Sequence, residues 1–218
     1  MTVTEQSGLA LSRAAALDQF RGYDRLSVRQ KKRWLEILLS FEFKNRYQVF
    51  DQSQQAVLEV AEVGDGIWPL LGRLFLGPFR PFTAEVTDLG ASRVALRLNR
   101  RFRFIFHRLE VQAGSGESLG AIEMRWSWFR RIYDIQDATG RVVAQLYGPF
   151  LRPWTFEVRV GDRVVGQIQK RWSGLGKELF TDADNFGVDL HNLDDAALKV
   201  LVFAATVLVD VVHFEAAK

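Results

Sequence analysis

The stretch richest in potential chemistry runs from Thr181 to Asp195 and reads TDADNFGVDLHNLDD, with five aspartates and no Lys or Arg. Carboxylate oxygens are hard ligands that suit Ca²⁺, and carboxylates held close together repel one another until a cation arrives. Set out as an EF-hand loop, the segment puts Asp182 at position 1, Asp184 at position 3 and Gly187 at the turn. Phe186 then falls at position 5 and Leu193 at position 12, where a side-chain oxygen and a bidentate Glu are required. The segment is therefore no EF-hand. It reads equally as a polar strand end running into an acidic helix N-terminus, where Asp194 and Asp195 favour the helix dipole without any metal.

Two further stretches carry surface chemistry. NRRFRFIFHR (Asn99 to Arg108) alternates so that, as one strand, Phe102, Phe104 and Phe106 face one side while Arg101, Arg103 and His107 face the other. It is either a strand with Phe inward and Arg in water, or an interfacial patch where each Arg adds about 1 kcal/mol near anionic lipid. GIWPLLGRLFLGPF sets Trp68, Leu71 and Phe75 around Arg73. Exposed, this group is an interaction site; buried, it is a lid over the core.

Other chemistry finds little support. His107, His191 and His213 have no metal-ligand spacing, and SGLGKE lacks the first glycine of a P-loop. No nucleophile and base are paired by spacing, so the chain is expected not to be an enzyme. Cysteine is absent, which excludes disulfides, a thiol nucleophile, thiolate zinc and palmitoylation, and favours an intracellular location. A net charge of +3 is too weak to imply nucleic acid.

These residues need elements to hold them. The N-terminal stretch has neither the apolar run nor the cleavage pattern of a secretory signal and reads as a frayed leader or short helix. Ser27 followed by Gln30 forms a capping-box pattern, and VRQKKRWLEILLSF continues it as an amphipathic helix. From Phe43 to about Gly187 the chain breaks into short alternating stretches separated by turns, as many antiparallel strands do. They repeat. RYQVFDQSQQAVLEV (Arg46 to Val60) lines up with IYDIQDATGRVVAQL (Ile132 to Leu146), matching Tyr47 with Tyr133 and Asp51 with Asp137. GPFRPFTAEV lines up in turn with GPFLRPWTFEV, while the Trp68 stretch has no counterpart in the second copy. A duplicated strand set must hide its edges, and closing into a barrel does so.

Near the C-terminus, the ten residues between Lys199 and Asp210 are apolar apart from Thr206. A membrane span needs roughly 20. A buried core helix is favoured, with a short span as the alternative, and Asp194 is the expected N-cap, with Leu193 and Leu198 forming a hydrophobic staple.

GQIQKRWSGLGKELFTDADNFGVDL (Gly166 to Leu190), followed by an aspartate and an apolar segment ending in HFE, resembles the most characteristic region of the phospholipid scramblase family. LEILLSFEFKNRY (Leu35 to Tyr47) and GPFRPFTAEVTD (Gly77 to Asp88) match it in the same order, so the resemblance runs from about Tyr23 to Glu215. It implies a mainly β, tubby-like fold: a closed antiparallel barrel of about twelve strands from two related halves around a buried C-terminal helix. The corresponding domains are a leader over 1–26 and a barrel over 27–218, with halves near 43–111 and 120–187 and a helix near 195–214.

The resemblance also implies ATP-independent, Ca²⁺-stimulated movement of phospholipids between leaflets at the inner face of the plasma membrane. The chain would be cytoplasmic, peripheral or single-pass, with anionic lipids as partners and a protein partner as a further candidate. Asp182, Asp184, Asn185 and Asp194 match the family's Ca²⁺ segment, with Asp189 as an additional acid. Many relatives carry lipid-attachment cysteines near the Trp68 and Phe104 stretches. Here aromatic and aliphatic side chains flanked by Arg73, Arg80 and Arg101 are expected to replace them. The alternative is a tubby-like module that binds anionic lipid or protein and transports nothing.

Overall fold

A computed structural model describes residues 10–30, 46–63, 81–101, 106–128, 130–149, 151–152, 154–171 and 185–213. They form a helix α1 (Arg13–Arg21), then twelve strands: β1 (Arg25–Gln30), β2 (Arg46–Phe50), β3 (Ala56–Val63), β4 (Phe82–Asp88), β5 (Arg93–Arg100), β6 (Arg108–Ala113), β7 (Ser118–Arg125), β8 (Arg131–Asp137), β9 (Val142–Gly148), β10 (Thr155–Val160), β11 (Arg163–Arg171) and β12 (Asn185–Asp189). A second helix, α2 (Ala196–His213), follows. The strands pair in chain order and β1 closes the ring on β12, giving a barrel that leaves no sheet edge open.

Alternation explains the strands. In β6, Leu109, Val111 and Ala113 turn inward while Arg108 and Glu110 stay nearer solvent. Arg108 Nη1 then donates to Glu123 Oε2 on the neighbouring strand at 2.7 Å.

The duplication is visible in the backbone. Register shifts fall after Val49 and Ile135, matched positions of the repeat, and again after Val86 and Val158. Asp51 Oδ1 accepts from the amides of Ser53 and Gln55, and Asp137 Oδ1 accepts from those of Thr139 and Arg141. Both hairpins then need a left-handed residue three positions on, Gln54 at φ 60° and Gly140 at φ 84°. A Cβ at Gly140 would meet nothing within 4 Å, so Gly140→Ala should cost only the left-handed penalty, about 1 kcal/mol in urea unfolding.

The capping-box reading of Ser27 is overturned: Arg25–Gln30 is strand β1, with Leu26 and Val28 inward. Its pairing with both β2 and β12 closes the barrel, and that gain outweighs a local helix signal. The rest of the expected helix lies outside the described residues. Ahead of β1, the stretch read as a leader contains α1, N-capped by Ser12, whose Oγ accepts from Ala15 N at 3.3 Å. α1 buries Ala16 and Phe20, and the Phe20 ring lies 5.4 Å from that of Phe203 on α2.

The barrel is filled by α2. The cap is Asp195 rather than the expected Asp194: Ala197 N donates to Asp195 Oδ1 at 2.8 Å and Lys199 N to Asp195 O at 3.0 Å. A turn from Leu190 buries Leu193 and leaves Asp194 exposed, so the first helical turn starts one residue later. Both charges that bracket the apolar run are themselves buried. Lys199 Nζ donates to Tyr23 O at 2.7 Å and Arg21 O at 3.2 Å, and Asp210 accepts from the Tyr47 hydroxyl at 2.6 Å. Among the described residues no helix is long and apolar enough to cross a membrane.

Candidate functional site

Antiparallel order sorts the connections between strands onto two ends. One end carries short polar turns, 51–55, 89–92, 114–117, 138–141 and 161–162, and the segment leading into α1 is tied there by Leu11 N, which donates to Val94 O. At the other end lie the strand termini Gln30, Val63, Arg100, Arg125 and Gly148. Lys199 is tied to residues at the first end and Asp210 to Tyr47 near the second, so α2 runs from the polar end toward this rim.

The rim is aromatic and basic. Every exposed aromatic side chain among the described residues sits there: Phe106, Trp126, Trp128 and Trp154, joined by Leu151. Trp128 is 79% and Leu151 89% exposed, values that no packing role explains. The Trp126 and Trp128 rings meet edge to face at 5.3 Å. Arg101, Arg130 and Arg152 are exposed among them, and Arg130 leans over the Tyr147 ring at 5.3 Å. The described residues of 101–107, 126–130 and 149–154 include no Asp or Glu.

Beneath the rim lies a buried polar layer. Arg100 is 1% exposed, and its Nη2 donates to His107 Nδ1 at 2.6 Å. Burial, and then the charge of Arg100, lower the His107 pKa to about 4, so the imidazole is neutral and free to accept. Burial likewise raises the pKa of Tyr133, which stays a phenol.

This layer corrects the single-strand reading of Asn99 to Arg108. β5 ends at Arg100 and β6 begins at Arg108, because an antiparallel neighbour requires the chain to turn back between them. Arg100 and His107 consequently face inward while Phe106 is exposed. Of the expected lipid-binding residues, Arg101 and Phe106 are on the rim. Trp68, Leu71, Arg73, Phe75, Phe102, Arg103 and Phe104 lie outside the described residues.

The acidic segment divides along β12. Asn185 and Asp189 stand at opposite ends of that strand, about 13 Å apart at the usual rise per residue. One ion cannot take both. Asp189 Oδ1 already accepts from His191 N at 3.1 Å, and Asp194 follows a further turn beyond it. Asn185 Oδ1, by contrast, is buried without a hydrogen-bond partner among the described residues. Its chain neighbours Asp182 and Asp184 lie outside them, and among the described residues no three acids or histidines gather as a metal set.

A groove of about 540 Å³ lies beside β12, with Gly187, Arg25, Arg29, Asp51 and Asp189 among its lining residues. Most of its charges are spent locally. Arg29 bonds Gln54 at 2.6 Å and stacks on Phe50, and both aspartates hold turn amides.

The match to known proteins is extensive. A family model described as Scramblase covers residues 3–216. The chain belongs to the Scramblase family. Among curated relatives, Phospholipid scramblase 2 of Bos taurus is 32% identical over 212 residues, covering 91% of this chain and 71% of that protein. Phospholipid scramblase 1 of Homo sapiens is 30% identical over 213 residues, covering 91% and 65%, and human Phospholipid scramblase 2 is 30% identical, covering 91% and 70%. The Scramblase-family chain thus spans roughly two thirds of the length of these relatives. No solved structure matches it significantly.

Within this Scramblase-family barrel, Trp126, Trp128, Leu151, Arg152 and Trp154 are functional candidates that the motif reading passed over. The signal was available: WSWFRR and GPFLRPW both connect strands at the end that also receives RRFRFIFHR.

Proposed function

We propose that this Scramblase-family chain moves phospholipids between the leaflets of a bilayer without ATP and without making or breaking a covalent bond, acting from the inner face of the plasma membrane. The observation that carries this reading is the family match over nearly the whole chain. The twelve-strand barrel around a buried helix and the aromatic, basic rim are consistent with work at a membrane. Calcium stimulation belongs to the same reading. A hard cation would be held by Asp182 and Asp184 with Asn185, whose buried oxygen has no hydrogen-bond partner among the described residues and is the kind of atom Ca²⁺ takes. Asp189 and Asp194 take no part in that set.

The test is reconstitution in liposomes with fluorescent lipid in both leaflets and a membrane-impermeant quencher. Scrambling carries quenching well past the half that the outer leaflet supplies; quenching that stops near half refutes the reading. Asp182→Ala with Asn185→Ala should raise the Ca²⁺ needed for half-response by about tenfold or more. In solution, the same pair should lose any upward shift of the unfolding midpoint that Ca²⁺ gives the unmodified chain. An unchanged Ca²⁺ response and an unchanged shift together would remove the ion from this site.

A further inference from the structure

We infer that the aromatic and basic rim is a docking surface for an anionic phospholipid bilayer, which the barrel meets end-on. The inference deepens the proposed function and rests on its placing the chain at a bilayer. It adds an orientation and a set of residues to that reading.

Three observations carry it. Up-and-down strand order separates the two ends, and among the described residues the exposed aromatic side chains occupy only one of them. Tryptophan favours the headgroup level of a bilayer, where its ring is partly apolar and its N–H stays wet. Trp126 and Trp128 leave most of their surface free on one connection, as Leu151 does on the next along the rim, where Trp154 is partly exposed beside it. A protein surface gains nothing from keeping such a patch in water.

The second observation is charge. Arg101, Arg130 and Arg152 share this rim, and its described connecting residues contain no acid. A polyanionic plane is the complement of such an array. Each Arg brought near an anionic leaflet raises partitioning about fivefold, an effect that salt weakens.

The third observation is the far end of the barrel. There the turns are short and polar, and α1 packs inward through Phe20 while Leu11, just ahead of it, bonds to β5. With the rim on the bilayer, α1 and the entry of α2 point away from it. The end of α2 that carries Asp210 points toward it.

Vesicle co-sedimentation of the full chain tests this, using phosphatidylcholine vesicles with and without phosphatidylserine. The unmodified chain should bind the mixed vesicles more tightly and release from them as salt is raised. Trp126→Ser with Trp128→Ser, and separately Arg130→Glu with Arg152→Glu, should each weaken binding about tenfold or more. All four positions are exposed, so circular dichroism and the unfolding midpoint should stay as they were. Arg163→Glu with Val164→Ser, exposed at the polar end, should bind like the unmodified chain. Equal weakening by the polar-end pair, or full binding by both rim pairs, overturns the inference. So does a rim that drives self-association lost in Trp126→Ser with Trp128→Ser while binding neither vesicle. Docking is read here apart from lipid movement: a chain that binds through the rim but scrambles nothing keeps this inference and loses the proposed function.

Discussion

Replacing Phe203 by alanine should lower the unfolding free energy by about 3–5 kcal/mol, the largest stability effect expected from a single truncation in this barrel. Phe203 is fully buried in the middle of α2, and its ring sits 5.4 Å from Phe20 of α1. The loss combines the transfer free energy of the ring with a cavity between two elements that the closed sheet prevents from collapsing. Phe20→Ala removes the other side of the same contact. The double variant should therefore cost less than the sum of the two single ones, because the second truncation enlarges a cavity already made. Urea unfolding followed by tryptophan fluorescence and by far-ultraviolet circular dichroism measures all three. A Phe203→Ala midpoint equal to that of the unmodified chain would mean that α2 is not packed inside the barrel.

The features legible in the sequence were those set by local chemistry that occurs twice. Asp51 and Asp137 could be matched because each caps a hairpin through its own following amides, and Tyr47 and Tyr133 because alternation turns both inward. The ten-residue apolar run could be read as a core helix because its length fell short of a span. What escaped was decided by distant partners. Ser27 looks like a helix cap until Phe186 and Val188, far along the chain, supply the strand that pairs with β1. Asp194 and Asp195 are chemically equivalent as caps, and the burial of Leu193 chooses between them.

The candidate site shows the same division. Trp68 and Phe75 stand out in the sequence because their stretch is present in only one copy of the repeat. Trp126, Trp128 and Trp154 become a group only once strand order places their connections on one rim. For the acidic segment, composition suggested one cluster. The extended backbone of β12 separates Asn185 from Asp189, which no count of aspartates could reveal.

The second large effect concerns pH and is centred on His107. In the folded chain its pKa is lowered to about 4 from 6.5, by burial first and by the charge of Arg100 second. Above pH 6.5 the imidazole is neutral both folded and unfolded, and the full stability is present. As pH falls through the interval from 6.5 toward 4, the unfolded chain takes up a proton that the folded chain refuses, so stability falls with pH. Below about 4 the folded state protonates as well, and the loss levels off. The total should be about 2–3 kcal/mol, allowing for some solvent relaxation around the ring. The carboxylates of Glu117 and Asp137, whose pKa values are lowered by hydrogen bonds, lose their contributions only as pH drops below their ordinary values of 4.5 and 3.8. The upper part of the window thus belongs to His107 alone among the described residues with a shifted pKa. His107→Gln keeps an acceptor for Arg100 Nη2 and removes the titration. Its unfolding free energy should be nearly flat between pH 6.5 and 5, where that of the unmodified chain falls. Parallel slopes in the two proteins would show that His107 titrates freely and that its contact with Arg100 does not hold it neutral.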